Sequence, residues 1–254
     1  MNFRLNSNRR DFLRISAASG AVLILDGCRS ENTPKATEQS AKQPPAMTDE
    51  EMKGGEVTAT EDLMREHGVL RRALLVYSEA AIKLRNSPSA VAPDALQKTA
   101  QLFRVFGEEY HERKLEEAYI FPAVKNAGGP AAGYPDVLIA QHARGREITD
   151  YIIAVTRGPK LGTANGAQLA GAMDSLVRMY RAHASREDTI VFPAWKQTLT
   201  AEQLDEMNDK FEDIEHEQFG EDGFEDAVKQ ISEIESELGL ADLATFTAPA
   251  PPAL

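Results

Sequence analysis

One cysteine in 254 residues excludes an internal disulfide, a thiolate zinc site and a cysteine-ligated iron–sulfur cluster; any metal must be held by nitrogen and oxygen. Positive charge is also short. The 28 Lys and Arg against 40 Asp and Glu give a formal charge of −12, which repels phosphate backbones and supplies no counterion release, so nucleic acid is not expected as a partner. Long apolar runs are missing as well, the stretch from Ile15 to Leu25 being too short to span a bilayer comfortably. With 13 Pro and 17 Gly at 42% hydrophobic residues, collagen-like and wholly disordered classes are excluded, and there is enough apolar material for a sizeable core.

The chain begins with an address. Residues 1–27 pass from a basic head through an apolar stretch to small residues, the layout of an export signal. Within the head, Asn8-Arg9-Arg10-Asp11-Phe12-Leu13-Arg14 resembles the twin-arginine motif, whose pathway exports proteins already folded. Leu25-Asp26-Gly27-Cys28 resembles a lipoprotein cleavage box, implying lipid attachment at Cys28 and an exported, periplasmic or extracytoplasmic protein anchored to a membrane. Cleavage there leaves a more acidic chain. Residues 28–57, polar and rich in Pro, Ser, Thr and Gln, read as a disordered tether.

From Thr58 onward apolar residues recur at helical spacing and nothing alternates with period two, so the body is all-α. A capping box at Thr58-Ala59-Thr60-Glu61 opens a first helix that buries Leu63, His67, Leu70, Leu74, Tyr77 and Ala81. A second starts near Pro93 and reaches Phe121-Pro122, with Gly128-Gly129-Pro130 ending that unit. The third, from Pro135 to about Arg157, turns Leu138, His142, Gly145, Thr149 and Ile152 to one side. The fourth, from about Asn165 to Phe192, is expected to turn Ala172, Leu176, Met179, His183, Glu187 and Ile190 inward. These make an up-down four-helix bundle over 58–198. A second capping box at Thr200-Ala201-Glu202-Gln203 begins a C-terminal helical extension over 199–240, followed by a flexible tail over 241–254.

The bundle contains a repeat. Glu66-His67 answers Gln141-His142, and HERKLEEAYIFPA (111–123) answers HASREDTIVFPA (183–194). Each of four helices thus carries one inward histidine, and His183 and Glu187 share a helix face four residues apart. Imidazole is the commonest metal ligand, and a carboxylate can bridge two cations through its two oxygens. Four imidazoles with carboxylates on two helices point to two irons, with zinc or manganese as the chemical rivals.

These stretches, with EDLMREHGVLRR, make residues 58–196 resemble the hemerythrin-like domain family, whose four-helix bundle encloses a non-haem di-iron centre. The resemblance implies His67, His111, Glu116, His142, His183 and Glu187 as ligands, Glu116 and Glu187 bridging. Two departures stand out. Glu116 lies five residues after His111, about 140° around an ideal helix instead of about 40°; a local π-bulge would restore it, and Glu117 and Glu112 remain alternatives. Oxygen-carrying hemerythrins have a fifth histidine where this chain has Leu138, which predicts one iron with fewer protein ligands and a more open sphere.

The expected function is binding or reduction of a small oxidant, a diatomic such as O2 or NO, or a peroxide. A tethered redox or oxygen sensor acting through a protein partner at residues 200–240, and an iron-handling protein, are the other readings. Ordinary core packing is the expectation for Tyr110 and Tyr180, with a phenol that donates a hydrogen bond or a radical to oxygen bound at the di-iron centre as the other reading. Gly145, costly inside a helix, is expected to leave either a gap for a diatomic or room for close helix packing. His216, outside the repeat, is expected to be a solvated surface residue.

Overall fold

The computed structural model describes residues 57–252 except 88, 90, 162 and 221, and except the side chains of Thr163 and Ala164. The export signal, Cys28 and the tether before Val57 lie outside the described residues. No described helix is long and apolar enough to cross a membrane.

Six helical rods make up the described body. The first is α1 (Ala59–Asn86), whose N-cap Thr58 and Glu61 satisfy each other's backbone N–H groups as the capping box predicts. The second combines α2 (Pro93–Leu102), a π-helical stretch (Phe103–Ile120) and α3 (Phe121–Ala127). Gly128 and Gly129, with φ of 75° and 74°, end it in a conformation that side chains with a β-carbon rarely adopt. The third rod is α4 (Tyr134–Thr156); the fourth joins α5 (Thr163–Arg186), a π-helical turn (Glu187–Val191) and α6 (Phe192–Lys196).

Neighbouring rods run antiparallel, as their cross-contacts show. His67 and Arg85 of α1 meet Asp188 and Asp174 of the fourth rod, and Arg104 and Lys125 of the second meet Asp150 and Asp136 of the third. The fold is an all-α bundle. Its core runs from Leu63 to Leu84 in α1 through Phe103, Phe106, Ile120 and Phe121 to Ile152, Leu176, Phe192 and Trp195. The fourth helix buries Leu169, Met173, Leu176, Tyr180, His183 and Glu187. The expected face was partly misplaced: Ala172, Met179 and Ile190 are only half-buried, because Met173 and Tyr180 continue the inward spacing set by His183.

Two further helices, α7 (Ala201–Phe219) and α8 (Gly223–Glu237), lie on the bundle. Phe211 of α7 stacks on Trp195 at 5.7 Å and meets Tyr119 edge-on at 5.8 Å. Phe219 meets Tyr110 edge-on at 5.2 Å. In α8, Glu235 pairs with Arg72 of α1, and Glu237 beyond it with Lys98 of α2. The buried Leu204, Phe211, Ile214, Phe224 and Ile231 join the bundle core instead of forming a second one.

Candidate metal centre

The second and fourth rods share a local irregularity where the carboxylates sit. The N–H of Phe121 bonds to the carbonyl of Glu116, and that of Phe192 to the carbonyl of Glu187, both five residues back. Proline follows each phenylalanine, lacking an N–H and crowding the carbonyl four residues earlier, which disfavours α-helical bonding there. The widened turn is therefore written in the repeated Phe-Pro. In the second rod it is an 18-residue π-helical stretch rather than a single bulge, and it brings Glu116 onto the face of His111. A shorter one in the fourth rod begins at Glu187 itself.

All six residues meet in the interior, each at most 3% exposed. The Nε2 atoms of His67 and His111 lie 3.1 Å apart, and those of His142 and His183 3.0 Å apart. Between these pairs stand the two carboxylates. Glu116 directs Oε1 to His111 Nε2 at 3.3 Å and Oε2 to His142 Nε2 at 3.4 Å. Glu187 directs Oε2 to His67 Nε2 at 3.5 Å and Oε1 to His183 Nε2 at 2.9 Å. Each half thus presents two imidazole nitrogens and one oxygen from each carboxylate. The expected inequality between halves does not appear in the donor atoms: without a histidine at Leu138, a buried core residue, both halves have the same set.

Each of these four histidines turns its other nitrogen outward to an oxygen. His67 Nδ1 meets Asp188 Oδ1 at 2.6 Å, His111 Nδ1 meets Glu66 Oε2 at 2.7 Å, His142 Nδ1 meets Glu117 Oε1 at 2.9 Å and His183 Nδ1 meets Gln141 Oε1 at 2.8 Å. Such contacts keep a proton on Nδ1 and aim the Nε2 lone pair inward, the arrangement of metal-ligating histidines. Glu117 is in this outer position. Glu112 instead accepts hydrogen bonds from the Tyr180 hydroxyl at 2.6 Å and Arg146 at 3.1 Å. Of the three acidic alternatives on the second rod, Glu116 faces the Nε2 atoms. The outer partners were missed in the sequence, though the repeat carries them. The residue before each first histidine, Glu66 or Gln141, holds the second histidine of its own half; the residue after each inward carboxylate, Glu117 or Asp188, holds the first histidine of the other half.

Glu116 and the two histidines it faces favour opposite charges. Burial works against a charged His111, but Glu116 and Glu66 outweigh it and push its pKa well above the usual value. For His142, burial is likewise overcome, by Glu112, Glu116 and Glu117, and the pKa is pushed up to about 10. Burial tends to raise Glu116, yet His111 and His142 hold it well below the ordinary carboxylate range.

The donor set fits a pair of cations. None of the four oxygens of Glu116 and Glu187 accepts an aligned hydrogen bond, a costly arrangement unless something else meets them. Two donors on one cation with bonds of about 2.1 Å stand about 3.0 Å apart at a right angle and about 3.4 Å apart at the tetrahedral angle. The spacings of 2.9 to 3.5 Å span that range.

A cavity touches both halves, with His67, His111, His183 and Glu116 in its wall beside Glu112 and Tyr180. Its volume of about 10 Å³ is close to what one water-sized sphere requires. Gly145 leaves no gap beside it: a β-carbon there would overlap the Tyr180 oxygen and lie 2.8 Å from Cζ, so the missing side chain makes room for the phenol. Both tyrosines pack in the core as expected, and each also donates a hydrogen bond. Tyr180 donates to Glu112, and Tyr110 donates to Glu66 at 3.0 Å. His216 is exposed on α7.

Residues 58–195 match the family model for the hemerythrin HHE cation-binding domain. Uncharacterised proteins of Mycobacterium bovis and Mycobacterium tuberculosis are each 41% identical to this chain over 240 residues, covering 94% of it and 90% of their own length. No solved structure matches. With its repeated histidines and carboxylates converged in one bundle and the domain model matched across that bundle, the chain belongs to the hemerythrin HHE cation-binding domain family.

Proposed function

We propose that the centre holds two iron ions and that the protein binds or reduces a small oxidant of the O2, peroxide or nitric oxide class. One observation carries the reading: Glu116 and Glu187 each point one oxygen at a histidine of each half, as residues shared between two cations do. Ferrous ions in such a site supply electrons to the oxidant. The protein's own residues supply the rest. Asp188, Glu66, Glu117 and Gln141 orient the imidazoles, the buried bundle keeps bulk water out, and the cavity admits a molecule of a few atoms while refusing an organic substrate. Imidazole with carboxylate suits iron and also zinc or manganese, so metal analysis with Mössbauer spectroscopy is the test. Two irons per chain are expected. An optical band that forms with O2 and reverses under vacuum marks a carrier; irreversible oxidation with turnover of peroxide marks an enzyme. Chain that contains no iron from aerobic or anaerobic cells overturns the proposal.

A second reading, a redox sensor signalling to a protein partner, is favoured by one contact path. Phe219 of α7 packs on Tyr110, whose hydroxyl holds Glu66, which holds His111. A change at the centre thus has a physical route to α7. Loss of partner binding in Phe219→Ala, with iron content kept, would support it.

The twin-arginine-like segment and Cys28 support a proposed site of action outside the cytoplasm on a lipid tether. A lipid adduct on Cys28 in the membrane fraction is the expected finding; an unprocessed cytoplasmic chain would overturn it.

A further inference from the structure

The repeat is broken on the cavity side of the centre. Three residues before its second histidine the first half has Glu108 and the second half Tyr180; directly after that histidine the first half has Glu112 and the second Ala184. Tyr180 and Glu112, one from each half, meet in a 2.6 Å hydrogen bond and both line the cavity. The tyrosine ring lies 5.2 Å from that of His183. The other oxygen of Glu112 is paired with Arg146 at 3.1 Å. Gly145, at the cost of a helix-interior glycine, provides the space the phenol fills. The other phenol beside the centre, Tyr110, donates to Glu66 and does not line the cavity.

We propose that Tyr180 is redox-active, giving one electron to the centre during reduction of a peroxide while its hydroxyl proton passes to Glu112. This rests on the di-iron reading above. The O–H bond of Tyr180 breaks, an O–H bond forms at Glu112 Oε1, and a neutral phenoxyl radical remains. Reduction of hydrogen peroxide to two waters takes two electrons and two protons. Tyr180 supplies one electron and, through Glu112, one proton; the other electron comes from ferrous iron and the other proton from solvent. The geometry couples the two transfers: the buried phenol donates its hydroxyl to Glu112 at 2.6 Å, so the proton has its acceptor in place as the electron leaves.

The test mixes the full chain, loaded with ferrous iron, with hydrogen peroxide and freezes it within milliseconds for electron paramagnetic resonance. An organic radical is expected that narrows when the tyrosines are ring-deuterated, is absent in Tyr180→Phe, and persists in Tyr110→Phe. Glu112→Gln, with iron content and helix content unchanged, should lower its yield. A radical that survives in Tyr180→Phe overturns the proposal. So does the absence of any radical in the parent chain when the optical spectrum shows that peroxide has oxidised the iron. A chain that takes up no iron, or whose iron peroxide leaves untouched, refutes the di-iron reading itself and the proposal with it.

Discussion

The phenol oxygen of Tyr180 occupies the place where Gly145 would carry a side chain, and it reaches Glu112 only by passing through that place. Gly145→Ala therefore overpacks the interior. A loss of about 1 to 3 kcal/mol is expected, the usual range for an added methyl in a filled core. Tyr180→Phe removes the nearest clashing atom, so the double variant should lose less than the two single losses together. Urea denaturation of the four chains measures this coupling, and strict additivity would show that the two residues do not compete for one space.

Because Glu116 and Glu187 each face both halves, the proposed centre assigns neither to one cation. Glu116→Ala or Glu187→Ala is expected to lower metal content at both positions, from two ions per chain to fewer than one. Loss of a single ion with the other still held tightly would mean that the carboxylates serve separate sites. Metal analysis after gel filtration distinguishes the two.

Removing an outer partner should act on affinity without removing a ligand. Asp188→Ala frees His67 Nδ1, and loss of such a partner weakens metal binding by roughly 10- to 100-fold. Competition with a chelator reads the change directly. An unaltered competition curve would show that the ring is fixed by packing alone, for instance by Phe192 stacked on it at 5.4 Å.

Glu108 lies fully buried one turn from Glu112. Arg104 stands 2.9 Å from its Oε2, but neither oxygen accepts an aligned hydrogen bond. Burial, with a smaller push from Glu112, raises its pKa from 4.5 to about 7 against the opposing pull of Thr149, Arg104 and Arg146. Between those two values the folded chain holds more protons than the unfolded one, so stability falls as pH rises through the interval and levels off above it. The cost to the folded state at pH 8 is about 3 kcal/mol. Glu108→Gln should therefore gain stability relative to the parent at pH 8 and little at pH 4, in metal-free protein denatured with urea. An equal effect at both values would assign the change to packing.

Much of this was legible in one dimension. The capping boxes at Thr58 and Thr200, the Gly128-Gly129 stop and the inward spacing of Leu63, His67, Leu70 and Leu74 are local chemistry, settled by side chains within a few residues of one another. The repeat likewise brought the four histidines and Glu187 into view, since a period survives in the string of letters. Residues that answer to a partner on another helix were harder to see. Glu66, Gln141 and Asp188 look like ordinary polar positions, and Glu117 like an alternative ligand, until the rod holding their histidine is set beside them. The acceptor of Tyr180 was out of view because Glu112 is 68 positions away.

The order of amino acids alone determined the helices, their stops, the acidic character and the nitrogen-and-oxygen donor chemistry, because each depends on composition or near-neighbour contacts. Only the tertiary structure decided that Glu116, not Glu112 or Glu117, faces the inward Nε2 atoms, and that each carboxylate spans both halves. It also decided that Gly145 serves a phenol. Those outcomes turn on distances across the bundle, which no pattern along a single chain direction measures.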